Sequence, residues 1–222
     1  MPHPTLLLFD VNETLLDLTP LQASIRRVLP GAGSPKLWFT TMLHYATAMS
    51  LAGQHASLPE IGAAVLRMLA EGRGIQLSEQ QARIAIAPIT RLPAYPDVTP
   101  ALARLRAAGF RLAALSNSTT TGLRGQLDYA GLAPYFDAQF SVQDSGVYKP
   151  HASVYLSAVR RMRVEPDAAM LVAAHGWDVA GAGWAGLRSA FVRRKDQAPF
   201  PLAEPPELVV ADIGALADKL GA

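Results

Sequence analysis

The sequence predicts an α/β fold, a Rossmann-like parallel sheet core with a helical cap inserted after the first strand. Strand patterns alternate with helical patterns along most of the 222 residues, as in parallel sheets with right-handed crossovers. The stretch 17–94 breaks this alternation, because it contains several helical patterns and no convincing strand. Half of the residues are hydrophobic, so a chain of this length can bury a substantial core.

The first strand is the apolar run at about 5–9, which lacks polar alternation and is therefore typical of a strand buried on both faces. Further strand patterns lie at about 111–115, 138–142, 169–173, 188–192 and 207–210, and a helical pattern runs from Thr99 to Ala108. Helical patterns of the inserted stretch cover Leu21 to Leu29, Pro35 to Ala52, Leu58 to Glu71 and Ser78 to Ile89. We therefore predict a core of residues 1–16 and 95–222 and a cap of residues 17–94.

The composition excludes several classes of function. Lys and Arg total 20 against 18 Asp and Glu, and this small imbalance predicts neither a nucleic-acid nor a membrane partner. The absence of Cys excludes disulfides, thiol nucleophiles and thiolate metal sites. Neither a signal-peptide pattern nor a run of roughly 20 apolar residues is visible, so we expect a cytoplasmic protein. We also expect the basic run 193–195 to be solvated and Trp184 to lie in the core.

Asp10 is the first candidate for chemistry, because it follows the apolar run and so lies at the C-terminal end of a buried strand. Open α/β sheets bind their ligands at that edge. An alternative interpretation is that Asp10 only caps a helix beginning near Thr14 or Pro20, since Asp and Thr are favoured at such turns.

Three further segments weigh against that alternative. They place polar side chains at strand ends or in loops, at Ser116 and Asn117, at Lys149, and at His175, Trp177 and Asp178. Each segment alone has an ordinary explanation, as a turn residue, a solvated charge or a helix N-cap. Their order along the chain after Asp10 favours one shared site.

With these segments the chain resembles the haloacid dehalogenase superfamily of aspartate-nucleophile hydrolases, and within it the type II (S)-2-haloacid dehalogenases. The resemblance covers nearly the whole chain. The four matching motifs are Phe9-Asp10-x-x-x-Thr14-Leu15, Leu115-Ser116-Asn117, Val147-Tyr148-Lys149-Pro150 followed by Tyr155, and Trp177-Asp178-x-x-Gly181-Ala182.

The resemblance implies hydrolysis of a carbon–halogen bond in a small halogenated carboxylic acid, without a cofactor and with a homodimer as a possible assembly. Asp10 would attack carbon and form an ester, which water then cleaves. The expected supporting groups are Lys149 as the cation, Thr14 and Ser116 as hydroxyl donors, Asp178 orienting the lysine, and Asn117 and Trp177 holding the halide. The cap would exclude bulk water from the ester.

Several positions depart from the dehalogenase pattern. Phe39 falls where those enzymes carry an arginine that helps to receive the halide, and Asn12 replaces an aromatic residue, so the resemblance implies that both residues contact the substrate. The expected serine and asparagine before Trp177 align with Ala173 and His175. His175 could act as a general base near neutral pH, or it could simply pack beside Trp177. For Tyr155, reaching the site and packing in the core are equally open.

Two alternative functions remain at this point. A phosphatase of the same superfamily would need Mg²⁺ and a second aspartate at the position of Asn12, and an additional metal-binding aspartate at the position of Ala174. Weak Mg²⁺ binding stays open, since waters can complete its shell. A catalytically silent member that binds a small ligand is the other alternative. It has no need for both a nucleophile and a matched cation, so the retained Asp10 and Lys149 argue against it.

Overall fold

The computed structural model describes residues 3–222, and within them six strands form one parallel sheet in the order β3-β2-β1-β4-β5-β6. The strands are β1 (Leu6–Phe9), β2 (Arg111–Ser116), β3 (Ala138–Ser141), β4 (Ala169–Ala173), β5 (Arg188–Val192) and β6 (Leu208–Val210). The predicted fold class is therefore confirmed, and each predicted strand is present within one or two residues of its expected position.

Helices connect the strands and form the inserted stretch. Those between β1 and β2 are α1 (Thr19–Val28), α2 (Ser34–Leu51), α3 (Leu58–Glu71), α4 (Glu79–Ile86) and α5 (Val98–Ala107). Those after β2 are α6 (Thr120–Tyr129), α7 (Ala152–Arg161), α8 (Gly176–Trp184) and α9 (Ile213–Lys219). Capping boxes at Ser57 and Ser78 define the starts of α3 and α4, because each serine accepts the N3 backbone N–H while the N3 side chain accepts from the cap.

The register of the sheet positions the candidate residues. Strand β1 is central and fully buried, which explains its unbroken apolar run. Its last residue, Phe9, lies beside Ala114 of β2 and Val172 of β4. The three strands therefore end at nearly the same level, and the residues that follow them meet at one edge of the sheet.

Two adjacent chain segments join the inserted helices to the sheet. Leu16 and Ala94 form an antiparallel bridge, the Asp17 N–H donates to the Pro93 carbonyl at 2.9 Å, and the Tyr95 N–H donates to the Leu15 carbonyl at 2.9 Å. The chain thus leaves and re-enters the sheet region at one place, close to the predicted boundaries. The division into a core and a separate cap of residues 17–94 stays a prediction.

The expectation for Trp184 is wrong, and the expectation of a solvated basic run holds for the exposed Arg193 and Lys195 but not for Arg194. Trp184 is 63% exposed, because it lies in the last turn of α8 and extends past the buried face to make an edge contact with Phe200. Within the basic run, Arg194 is not simply solvated. Its guanidinium forms paired hydrogen bonds with Asp97, donates to the Thr14 carbonyl and lies 4.0 Å from the ring centroid of Tyr95. None of the helices in residues 3–222 is long and apolar enough to cross a membrane.

Candidate active site

A buried ammonium between two buried carboxylates is the centre of the site. Lys149 Nζ lies 2.8 Å from Asp10 Oδ1 and 2.6 Å from Asp178 Oδ2, and it also donates to the Leu115 carbonyl at 3.1 Å. These three acceptors match the three hydrogens of the ammonium group. Buried charges cost several kcal/mol unless they are paired and hydrogen-bonded, and each group here is both. The structure thus brings together three of the predicted residues from β1, the loop before α7, and α8.

The charges of this centre shift one another's pKa values. Burial alone would raise the pKa of Asp10, but the Lys149 ammonium and His175 hold it well below its usual value. Burial would lower the pKa of Lys149, but the two aspartates raise it above the ordinary lysine value. The pKa of Asp178 is raised by its burial and by the neighbouring Asp10 charge. Asp10 is therefore an anion throughout the neutral range.

Thr14 supports the second oxygen of Asp10. Its Oγ1 donates to Asp10 Oδ2 at 2.6 Å and accepts the Ala174 N–H at 2.9 Å. Ser116, predicted as a further donor, makes no hydrogen bond to Asp10 in the described chain. Its Oγ instead accepts the Ser118 N–H at 3.1 Å, because the loop after β2 turns back over the strand end.

Asn117 and Tyr155 both reach the site. The Asn117 Oδ1 accepts the Lys149 backbone N–H at 3.0 Å, and within residues 3–222 its Nδ2 group has no acceptor and stays available to a ligand. Tyr155 is fully buried and donates its hydroxyl to Asp178 Oδ1, so it both packs and contacts the site. Burial and the Asp178 carboxylate raise the pKa of the Tyr155 phenol well above its ordinary value, so it stays a donor.

His175 lies between two carboxylates. Its Nδ1 is 3.2 Å from Asp10 Oδ2 and its Nε2 is 2.8 Å from Glu13 Oε2. Burial disfavours the charged imidazole, but the hydrogen bonds to Asp10 and Glu13 prevail and raise its pKa to about 9. In the resting protein His175 is therefore an imidazolium at neutral pH. To act as the general base considered above, His175 would first have to lose the proton that Asp10 and Glu13 hold on its ring.

Two aromatic rings stack against His175. Phe39 of α2 stacks at a centroid distance of 6.0 Å and Trp177 at 5.3 Å, both with an interplanar angle of 25°. Lys149 Nζ lies 5.8 Å from the Trp177 centroid. The predicted packing of His175 beside Trp177 is thus present together with its contact to Asp10. Phe39 brings the inserted helices to the same site.

Asn12 does not face Asp10. Its Oδ1 accepts from Gln126 Nε2 at 2.9 Å and its Nδ2 donates to Ser118 Oγ at 3.4 Å. Gln126 Nε2 also donates to the Ile89 carbonyl at 2.8 Å, which links α6 to the end of the inserted stretch. Both polar atoms of the Asn12 side chain are therefore hydrogen-bonded within this network, and its contact with substrate stays a prediction.

Sequence reasoning missed Glu13 and Gln126. Glu13 offered a signal, because it is an ionisable residue inside the nucleophile motif and precedes the Thr14 that contacts Asp10. Gln126 offered none, since a glutamine in the middle of a surface helix pattern is ordinary.

The residues do not fit a divalent metal. Among residues 3–222 no group of three or more His, Asp or Glu side chains could hold a metal ion. The carboxylates of Asp10 and Asp178, the two anionic groups that a cation could share, are both already paired with Lys149. Because Mg²⁺ needs several oxygen ligands, this arrangement does not favour the phosphatase alternative.

Comparison with known proteins extends the similarity over the whole chain. A family model described as haloacid dehalogenase-like hydrolase matches residues 4–186. The (S)-2-haloacid dehalogenase H-109 of Pseudomonas putida is 29% identical over 216 residues, which is 96% of each chain. The (S)-2-haloacid dehalogenase 1 of Pseudomonas sp. (strain CBS-3) is 30% identical over 84% of this chain and 83% of its own length.

Among solved structures, the L-2-haloacid dehalogenase of Xanthobacter autotrophicus with chloropropionic acid covalently bound superposes with a TM-score of 0.90. It is 25% identical, and the match covers 99% of each chain. The similarity therefore includes the inserted helices as well as the sheet.

Proposed function

Because this chain belongs to the haloacid dehalogenase-like hydrolases, we propose that it hydrolyses the carbon–halogen bond of a small (S)-2-haloacid with Asp10 as the nucleophile. The observation that carries this proposal is the buried Asp10 anion, held between the Lys149 ammonium and the Thr14 hydroxyl at 2.8 and 2.6 Å. A carboxylate that remains ionised in a buried site is suited to attack carbon. In this proposal the reaction needs no cofactor, because Lys149 and Thr14 supply the groups that hold the Asp10 carboxylate.

In the first step an Asp10 oxygen forms a bond to the carbon that bears the halogen, and the halide leaves with the bonding electrons. Lys149 and Thr14 keep the carboxylate in place before attack. We assign reception of the halide to Asn117, through its Nδ2 group, and to Trp177, whose ring lies beside Lys149. Preorganised donors aimed at a leaving anion stabilise the transition state in which its charge develops.

In the second step water attacks the aspartyl carbonyl carbon, and the bond from that carbon to the ester oxygen breaks. The products are a 2-hydroxy acid, the halide and one proton, and the Asp10 carboxylate is regenerated. Lys149 Nζ stays beside this carboxyl group because Asp178 fixes it at 2.6 Å, and Tyr155 in turn fixes Asp178. The ammonium can therefore stabilise the oxyanion that forms when water adds.

The finer parts of the proposal concern the assembly. We propose that the substrate binds between the sheet edge and a cap of residues 17–94, an arrangement supported by the stacking of Phe39 on His175. We also propose a homodimer, from the resemblance, and a cytoplasmic location, from the composition.

The test is free-halide release from (S)- and (R)-2-haloacids in EDTA, run beside an aryl phosphate assay with Mg²⁺. The Asp10→Asn variant should lose turnover, because an amide is a poor nucleophile. The matched control is Asp128→Asn, an exposed aspartate on α6, which should retain it. Halide release that survives in Asp10→Asn would contradict the nucleophile assignment. Phosphate release alone, dependent on Mg²⁺ and on Asp10, would replace the proposal by the phosphatase function.

A further inference from the structure

Glu13 contacts the side of His175 that points away from the nucleophile. Its Oε2 lies 2.8 Å from His175 Nε2 and also accepts from Gln197 Nε2 at 3.2 Å. The backbone of Glu13 has φ +62°, in the left-handed region that a residue with a side chain rarely adopts. Such an outlier calls for a functional explanation, and here it accompanies the placement of the carboxylate on the imidazole.

We propose that Glu13 and His175 form a proton relay that becomes active when Asp10 is esterified. In this relay Glu13 is a positioning residue that keeps a proton on Nε2, and Nδ1 of His175 becomes the base that activates the hydrolytic water. The inference rests on the proposed ester mechanism and adds a residue, Glu13, to it.

The geometry limits what His175 can contact. Phe39 and Trp177 both stack against the imidazole and His175 is buried, so its polar contacts are those of its two ring nitrogens within the site. Nε2 faces Glu13 and Nδ1 faces the carboxyl group of Asp10. A water that attacks the Asp10 carbonyl carbon must approach this same carboxyl group, so Nδ1 lies next to its path.

The charges around His175 explain why the relay is inactive in the resting protein. The ionisable groups that face this region are Asp10, Glu13, Lys149 and Asp178. Of these, only Asp10 changes charge during the reaction, because its ester is neutral. Loss of that negative charge removes the acceptor that holds the proton on Nδ1, while the Glu13 carboxylate continues to hold the proton on Nε2.

The protons balance over one catalytic cycle. When Asp10 is alkylated, the halide leaves and His175 releases its Nδ1 proton to solvent. Neutral His175 then takes a proton from the attacking water, and the hydroxide oxygen bonds to the aspartyl carbon. The leaving alkoxide takes that proton to become the 2-hydroxy acid, and the resulting Asp10 carboxylic acid returns its own proton to Nδ1. The net products are the hydroxy acid, halide and one proton.

The first test needs no turnover, since the Asp10→Asn side chain is neutral like the ester. Histidine NMR titration should give His175 a pKa near 9 in the wild type. In Asp10→Asn the midpoint should fall by more than one pH unit, and adding Glu13→Gln should lower it again. An unchanged midpoint in Asp10→Asn, or no further fall with Glu13→Gln, would refute the relay.

The second test separates the two chemical steps in single turnovers, with alkylated Asp10 followed by mass spectrometry. Glu13→Gln should slow ester hydrolysis at least tenfold more than ester formation, and it should have no further effect in a His175→Asn background. The matched control, Glu71→Gln, changes an exposed glutamate at the end of α3 and should alter neither step. Equal slowing of both steps, or an additive effect with His175→Asn, would assign Glu13 a merely structural role. If no haloacid alkylates Asp10, the proposed function is wrong. The NMR titration tests the coupling of Asp10, Glu13 and His175 independently of that result.

Discussion

Phe39 and His175 distribute positive charge differently from the dehalogenase pattern that this chain resembles. That pattern has an arginine at the position of Phe39 and an asparagine at the position of His175. Here the second cationic group beside Asp10, in addition to Lys149, is the imidazolium that follows β4, and the residue on α2 is a neutral ring that stacks on it. The second cation therefore lies at the sheet edge instead of on the inserted helices.

A double-mutant cycle tests this exchange. Phe39→Arg should lower kcat/KM for haloacids about tenfold or more, because the new guanidinium would repel the His175 imidazolium. Two unit charges about 6 Å apart at an effective dielectric constant of about 20 repel by roughly 3 kcal/mol. The His175→Asn variant should also lose activity. The double variant carries arginine and asparagine, as the dehalogenase pattern does, and its kcat/KM should exceed that of either single variant. If the losses of the two single variants simply add in the double variant, the proposed exchange of cation position between residues 39 and 175 is wrong.

The residues at the centre of the site were predictable because their types follow from chemistry and order. Asp10, Lys149 and Asp178 come after buried strands or in a fixed loop, and the structure brings them within hydrogen-bonding distance. The orientations of Asn12 and Ser116 were not predictable. Each depends on a partner that is distant in sequence or on a loop turn, such as Gln126, which is 114 positions away from Asn12.

At the scale of elements, α8 determines where Lys149 and Asp178 lie. A Cβ added to Gly181 would be 2.4 Å from Pro150 Cβ and 2.9 Å from the Tyr155 hydroxyl. The helix therefore packs directly on the loop that carries Lys149, which only glycine permits. The sequence of α8 shows small residues on several sides, and this is why the exposure of Trp184 was not foreseen, whereas the long apolar runs of the strands located the sheet.

Gly181→Ala should displace the Lys149–Pro150 loop from α8, since atoms at that distance must move apart. We expect a loss of unfolding free energy of about 2 kcal/mol or more and a fall in activity, because overpacking strains a core. The matched control is Gly183→Ala on the same helix, whose added Cβ meets nothing within 4 Å. Alanine there should leave stability equal or raise it. Urea unfolding measures the free energy of unfolding of both variants. Equal values for the two variants would contradict close packing at Gly181.

For the whole molecule, the site is an ionic cluster placed at the buried edge of a sheet that is otherwise apolar. Three of its members, Asp10, Lys149 and Asp178, are almost fully buried, and the net charge of the chain is only +2. The long-range field of the protein is therefore weak, and we expect the pH dependence of folding near neutrality to reflect local pairing. Because Asp10 has a lowered pKa, its contribution is present above its ordinary pKa and is lost in acid.

His175 has the opposite effect, because its contribution to the free energy of unfolding is lost at alkaline pH. Its pKa rises from 6.5 to about 9 on folding, so the native state binds the extra proton and is stabilised fully below pH 6.5. That contribution should disappear as the pH rises through 9. Between pH 6 and pH 9.5 the wild type should lose about 3 kcal/mol of unfolding free energy relative to His175→Asn, as follows from about 1.4 kcal/mol for each pH unit. Urea titrations of both proteins at the two pH values measure this difference. Parallel changes in the two proteins would show that Asp10 and Glu13 do not hold the imidazolium, and the charge assignment of the site would then have to be reversed.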